Sequence, residues 1–203
     1  MKEIGAAPSK RPDGTEKYTL PVLRDPNTGA LVTDSFDIAV YLDDTYSERP
    51  VFPNDTNGLI YALDTAYIDQ VRPAIKFLSL RAKEILKERS AEYFIITREQ
   101  YFNQKFAEFS PEGPVRDQHW AALEKAFILT AKMWYDKTDG KWLVGNSFSY
   151  ADIITATNLL WFKRTLHDDE WKRIAAWHDG NGKDSSQTLK ANVRCRVIFL
   201  NSV

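Results

Sequence analysis

The sequence predicts an α/β segment followed by an all-α domain, and three observations carry that reading. Residues 1–54 hold six of the nine prolines and two strong turn signals. From about residue 58 to 178, apolar residues recur at helical spacing almost throughout. With 203 residues, 43% apolar and 27% charged, the composition is ordinary globular usage, which excludes disordered and collagen-like chains and supplies enough chain to bury a core. The divisions that follow are 1–54, 55–180 and an atypical tail over 181–203.

Pro12-Asp13-Gly14 and Asp25-Pro26-Asn27-Thr28-Gly29 are turn chemistry, with φ fixed at proline and positive φ tolerated at Gly and Asn. Tyr18-Thr19-Leu20-Pro21-Val22-Leu23 lies between them and is β-prone apart from its proline. Ala30-Leu31-Val32-Thr33 follows the second turn, so the pair reads as a β-hairpin. Asp34 and Ser35 then precede Phe36, Ile38, Ala39, Tyr41, Leu42 and Tyr46, a helical stripe. A long helical pattern runs from Gly58 to Arg89 with Pro73 inside it, where a missing donor and a clash with the preceding turn predict a kink near residues 71–73. Further helical patterns cover Arg116–Tyr135, Tyr150–Leu166 and Asp169–Trp177. Trp120, Trp134 and Trp161 fall on core stripes.

Ser149-Tyr150-Ala151-Asp152 is a capping box: the serine oxygen can meet the Asp152 amide while the Asp152 carboxylate reaches back to the serine amide. The helix it opens is apolar nearly all round and is expected to be buried centrally.

Charge and motif content exclude several functions. Twenty-seven Lys+Arg against 28 Asp+Glu leave no basic excess to neutralise phosphates, so nucleic acid is not an expected partner. No stretch approaches the ~20 apolar residues of a spanning helix, and no secretory leader is visible, so a soluble cytoplasmic protein is expected, with no membrane association. Cys195 is the single cysteine, ruling out an intramolecular disulfide, a CxxC pair and a Cys-rich zinc site. His119, His167 and His178 form no paired ligand spacing, so no metal is expected. His167-Asp168-Asp169-Glu170 reads as a solvated helix boundary.

Three segments in order, Thr19-Leu20-Pro21-Val22-Leu23, then Thr33-Asp34-Ser35-Phe36-Asp37-Ile38-Ala39-Val40-Tyr41-Leu42, then Gly145-Asn146-Ser147-Phe148-Ser149-Tyr150-Ala151-Asp152, together resemble the glutathione S-transferase family. The first is similar to the strand bearing that family's cis-proline, the second to its acidic-serine helix start, and the third to the capping box of its helical domain. Gly5-Ala6-Ala7-Pro8, Asp25-Pro26-Asn27 and Asp34-Ser35-Phe36-Asp37-Ile38-Ala39 resemble fungal members related to the bacterial lignin β-etherases. The resemblance implies an incomplete thioredoxin-like segment over 1–54 and the family's C-terminal helical bundle over 55–180. It also implies glutathione as co-substrate, a hydrophobic or aromatic electrophile as second substrate in detoxification or ether cleavage, and a homodimer.

By the same resemblance Leu20 and Pro21 hold the peptide backbone of glutathione, and Asp34 and Ser35 hold its γ-glutamyl end. From the residues alone two readings stay open at each place. Pro21 can be an edge-strand proline, because it cannot donate to a ladder. Its neighbour Leu20 can instead offer backbone groups to an extended peptide. Asp34 or Ser35 can simply cap a helix. The free amides of a first helical turn also attract a carboxylate, and one residue can do both.

The family's first domain opens with a strand, helix and strand that bear the thiol-activating residue near the first strand's end. This sequence starts at about the second helix, so no catalytic residue carries over and an N-terminally truncated chain is the expectation. The alternative is a non-catalytic glutathione- or ligand-binding protein. Cys195, flanked by Arg194 and Arg196, reads as incidental.

Overall fold

The computed structural model describes residues 1–10, 14–130 and 134–176. The turn expected at Pro12-Asp13-Gly14 lies largely outside these residues. Trp177, His178, Cys195 and the whole 181–203 tail lie outside them too.

The N-terminal segment holds two small antiparallel hairpins. In the first, β1 (Ser9–Lys10) pairs with β2 (Glu16–Lys17), a pairing that no apolar alternation in the sequence announces. In the second, β3 (Val22–Arg24) pairs with β4 (Leu31–Thr33), with Leu23 opposite Val32. This is the expected hairpin, except that its first strand begins after Pro21, because proline has no amide to give the ladder. The turn between β3 and β4 closes as its residues dictate: the Gly29 amide donates to the Asp25 carbonyl at 2.9 Å, and Gly29 takes φ 78°.

Helix α1 (Ser35–Thr45) follows at once, with Asp34 as its N-cap, and packs on both strands of the second hairpin. The helical part then begins. Helix α2 (Asn57–Val71) runs into a 3₁₀ turn over Arg72–Ala74, and α3 (Ile75–Glu84) continues beyond it, so the α-helix is interrupted at Pro73 as proline chemistry requires. The pattern expected to reach Arg89 stops at Glu84, and a separate α4 (Glu88–Phe102) starts after three intervening residues. No glycine or proline marks this break. Arg81 and Glu84, in the last turn of α3, are engaged by the start of the last described helix: Glu170 accepts three hydrogen bonds from the Arg81 guanidinium at 2.6–3.0 Å, and His167 meets Glu84 at 2.6 Å. The Glu170 end of the acidic run after His167 is therefore an interhelical ion pair.

Helices α5 (Pro114–Leu129), α6 (Tyr150–Thr165) and α7 (Asp168–Ala176) complete the described part. The main core joins Tyr67, Phe77, Leu78, Leu123 and Phe162 from α2, α3, α5 and α6. Trp120 is buried within it, and Trp134 and Trp161 pack against its margin, so all three tryptophans serve packing as expected. A second cluster of Ala39, Phe52, Ile60, Ala151 and Ile154 fastens α1 to α2 and α6. This seam between the two parts is where the candidate site lies.

Candidate functional site at the start of helix α1

Two fixed points set the position of α1. At the hairpin end, the Asp25 carboxylate is buried under the turn. Its Oδ1 accepts from the Asn27 amide at 2.8 Å, and its Oδ2 accepts from the Tyr41 and Tyr46 hydroxyls at 2.6 Å each. Those two donors, Tyr41 first, hold the Asp25 carboxyl well below the usual carboxylate range. At the other end, Phe36 is wedged among three aromatic rings, those of Phe52 at 5.2 Å, Tyr61 at 5.1 Å and Tyr150 at 5.7 Å.

Between these anchors the first turn of α1 is open. Asp34 takes φ 79° and ψ 138°, outside the left-handed helical basin and costly for a residue with a side chain, by roughly 1–3 kcal/mol. Its Oδ1 caps the helix by accepting from the Phe36 amide at 2.9 Å. Among the described residues, neither the Ser35 amide nor its hydroxyl has a partner, and only the Ser35 carbonyl is engaged from outside the helix, by the Tyr150 hydroxyl at 3.2 Å. The helix start thus presents a donor pair beside an aspartate.

The Leu20–Pro21 peptide bond is cis. Leu20 is 78% exposed, and its backbone has no hydrogen-bond partner among the described residues. Pro21 and Ser35 line one cleft of about 430 Å³, together with Ile38, Leu42, Tyr150 and Ile153 from α1 and α6. The structure therefore brings Pro21 and Ser35 into a shared cavity, with Leu20 and Asp34 as their chain neighbours.

Several contributors carry no local signal in the sequence. Tyr41 and Tyr46 read as part of an apolar stripe, yet their hydroxyls work on Asp25. Asp64, on α2, is half-buried, and burial first and the Asp34 charge second push its carboxyl up. Tyr150 reads as the second residue of a capping box, yet it reaches Ser35, 115 residues away in sequence.

Ser149 and Asp152 do what a capping box requires, with the carboxylate accepting from the Ser149 amide at 3.0 Å and its hydroxyl at 2.8 Å. Asp152 also accepts from the Leu143 amide at 2.9 Å. Both residues are buried and fix the start of α6, whose first residue, Tyr150, lines the cleft. Among the described residues no three His, Cys, Asp or Glu side chains converge as a metal-binding group, and no helix is long and apolar enough to cross a membrane.

The sequence profile described as Glutathione S-transferase, C-terminal domain, matches residues 59–191. The glutathione S-transferase-like protein ustS of Aspergillus flavus is 32% identical over 197 residues, a match covering 90% of this chain and 69% of that protein. Among solved structures, the glutathione S-transferase CsGST63524 of Ceriporiopsis subvermispora, in complex with glutathione, superposes with a TM-score of 0.84 at 36% identity, covering 100% of this chain and 79% of that one. CsGST83044 of the same organism, also in complex with glutathione, gives 0.79 at 33% identity, with coverages of 98% and 79%. The glutathione transferase GSTFuA3 of Phanerochaete chrysosporium gives 0.77 at 31%, with 96% and 76%.

Proposed function

The chain belongs to the glutathione S-transferase family, and we propose that it holds glutathione at the start of α1 and delivers its sulfur to a hydrophobic, aromatic electrophile. One observation carries this reading: in a chain of this family, Ser35, whose amide and hydroxyl have no partner among the described residues, lines the same cleft as Pro21. A γ-glutamyl carboxylate fits that donor pair, since free amides of a first helical turn favour anions. The adjoining ammonium meets the negative charge of Asp34. Leu20, exposed and with its backbone unpaired, offers the groups an extended cysteinyl backbone would pair with. The apolar walls from Ile38, Leu42 and Ile153 suit an aromatic co-substrate.

In the transfer the glutathione sulfur, having lost its proton, forms a bond to the electrophilic carbon, and the leaving group departs with its electron pair. Conjugation in detoxification and cleavage of an aryl ether are the two outcomes this chemistry serves, distinguished by the leaving group.

Calorimetry with glutathione and a conjugation assay with a generic aromatic electrophile test the proposal. Ser35→Ala removes one donor to a charged group, about 1.5–3 kcal/mol, so glutathione affinity is expected to fall by roughly ten- to a hundredfold. Absence of glutathione binding by the unaltered protein overturns the reading. Binding without turnover restricts it to a glutathione-binding protein.

A further inference from the structure

Among the described residues, the polar link between the helical part and the open turn of α1 is a single hydroxyl. Tyr150 is the first residue of α6, and its position is fixed several times over. Its amide donates to the Val51 carbonyl at 2.7 Å. Its ring packs on Phe52 at 5.4 Å and edge-on against Phe36 at 5.7 Å. Two residues on, the buried Asp152 carboxylate ties Ser149 and Leu143 to the helix start. Ser35 is the opposite case, an exposed residue that follows the strained Asp34. A donor fixed at several points therefore meets an acceptor on the exposed first turn of α1.

We propose that Tyr150 is a positioning residue for the ligand site: its hydroxyl, donating to the Ser35 carbonyl, fixes the Ser35 peptide so that the neighbouring amide and side-chain hydroxyl face the γ-glutamyl carboxylate. The inference rests on the glutathione reading above and adds a residue from the far side of the seam. Burial pushes the Tyr150 phenol up, with Asp64 and Asp34 adding to the effect, so it keeps its proton and remains a donor at neutral pH. Tyr150 does not touch the reacting sulfur in this account and acts on the ligand through Ser35 alone. The arrangement also makes the orientation of the ligand site depend on the docking of α1 against α6.

The test uses the full chain and three variants, Tyr150→Phe, Ser35→Ala and the double substitution. Tyr150→Phe keeps every ring contact and removes only the hydroxyl. It is expected to raise the glutathione Kd about fivefold, the equivalent of one ordinary hydrogen bond. In the Ser35→Ala background the same change is expected to raise Kd by a smaller factor, because alanine keeps the positioned amide but lacks the positioned hydroxyl. A second readout needs no ligand: exchange of the Phe36 and Ile38 amides, which donate to Asp34 at the helix start, should be faster in Tyr150→Phe while the α5 amides keep their rates. An unchanged Kd in Tyr150→Phe, or equal factors in both backgrounds, overturns the proposal. If the unaltered protein binds no glutathione, the functional reading fails on its own, and unchanged exchange at Phe36 and Ile38 would then refute the positioning of Ser35 as well.

Discussion

Asp152 bears on the site without touching it, and the cost of losing it can be worked out. Its side chain is 2% exposed and accepts three hydrogen bonds, from the Leu143 amide, the Ser149 amide and the Ser149 hydroxyl. Asp152→Ala leaves two backbone donors unsatisfied. Each buried donor without a partner costs about 1–3 kcal/mol. Ser149 is fully buried and Leu143 partly so, which places the expected loss near 3 kcal/mol in total. Asparagine is no rescue, because Oδ1 and Oδ2 each receive a backbone N–H and an amide must turn its NH2 toward one of them. Asp152→Asn is therefore expected to lose at least about 2 kcal/mol. Urea unfolding followed by circular dichroism measures both: the midpoint should fall with an unchanged slope, since the same surface is exposed on unfolding. Glutathione affinity should fall with it, because Tyr150 begins the helix that Asp152 frames. An asparagine variant within about 0.5 kcal/mol of the unaltered protein would refute this, since it would mean that the buried amides find other acceptors.

Glu170→Gln breaks a bidentate pair whose side chains are 14% and 10% exposed, so it is expected to cost about 2–3 kcal/mol in urea unfolding, below the full penalty of a completely buried pair. The double change Arg81→Met with Glu170→Leu should recover most of that loss, because neither buried charge of the pair is then left alone and the exposed Glu84 keeps His167; a double variant weaker than the single one counts against this. Asp25 has a depressed folded pKa, so the stability it contributes is fully present above its unfolded value near 4 and is lost as pH falls below that. Melting temperature scanned from pH 5 to 2 should accordingly fall less in Asp25→Asn than in the unaltered protein, and parallel curves would remove Asp25 from the acid response. Burial raises the folded pKa of Asp152, so its own contribution runs the other way, fully present below its unfolded value near 4 and diminishing as pH rises above that.

The parts of this molecule that could be read from the sequence are those whose cause is local. Pro73 interrupts the α2–α3 pattern where its missing amide must, the Asp25–Gly29 turn closes on itself, and Ser149 with Asp152 mark the start of α6 to the residue. The parts that could not be read depend on partners far away in sequence. The last turn of α3 is held by His167 and Glu170, 83 and 89 positions away from their partners Glu84 and Arg81, which no periodicity within α3 encodes. The hydroxyls of Tyr41 and Tyr46 look apolar in a stripe because the ring carries the pattern and the tip carries the bond. For the candidate site the same division holds. Pro21 and Ser35 stand out by residue type and order, whereas Tyr150 becomes visible only once α6 is laid against α1.

The location of the open turn follows from the weakness of α1 itself. Eleven residues make a helix of about 16 Å, below the length at which an isolated helix holds together in water, and among its residues only Ala39 is buried. Its stability is therefore borrowed from both sides, from the hairpin through Asp25 with Tyr41 and Tyr46, and from the helical part through Phe36, Ala39 and Tyr150. The hairpin anchor grips the second half of the helix and the aromatic anchor grips its start, and what neither covers is the first-turn amide and hydroxyl of Ser35. A helix buried along its whole length would have to satisfy those donors internally, and a free one would not hold them in place. An element gripped at both ends and open at its first turn can keep them both unpaired and oriented, which is what recognition of a small anionic peptide requires.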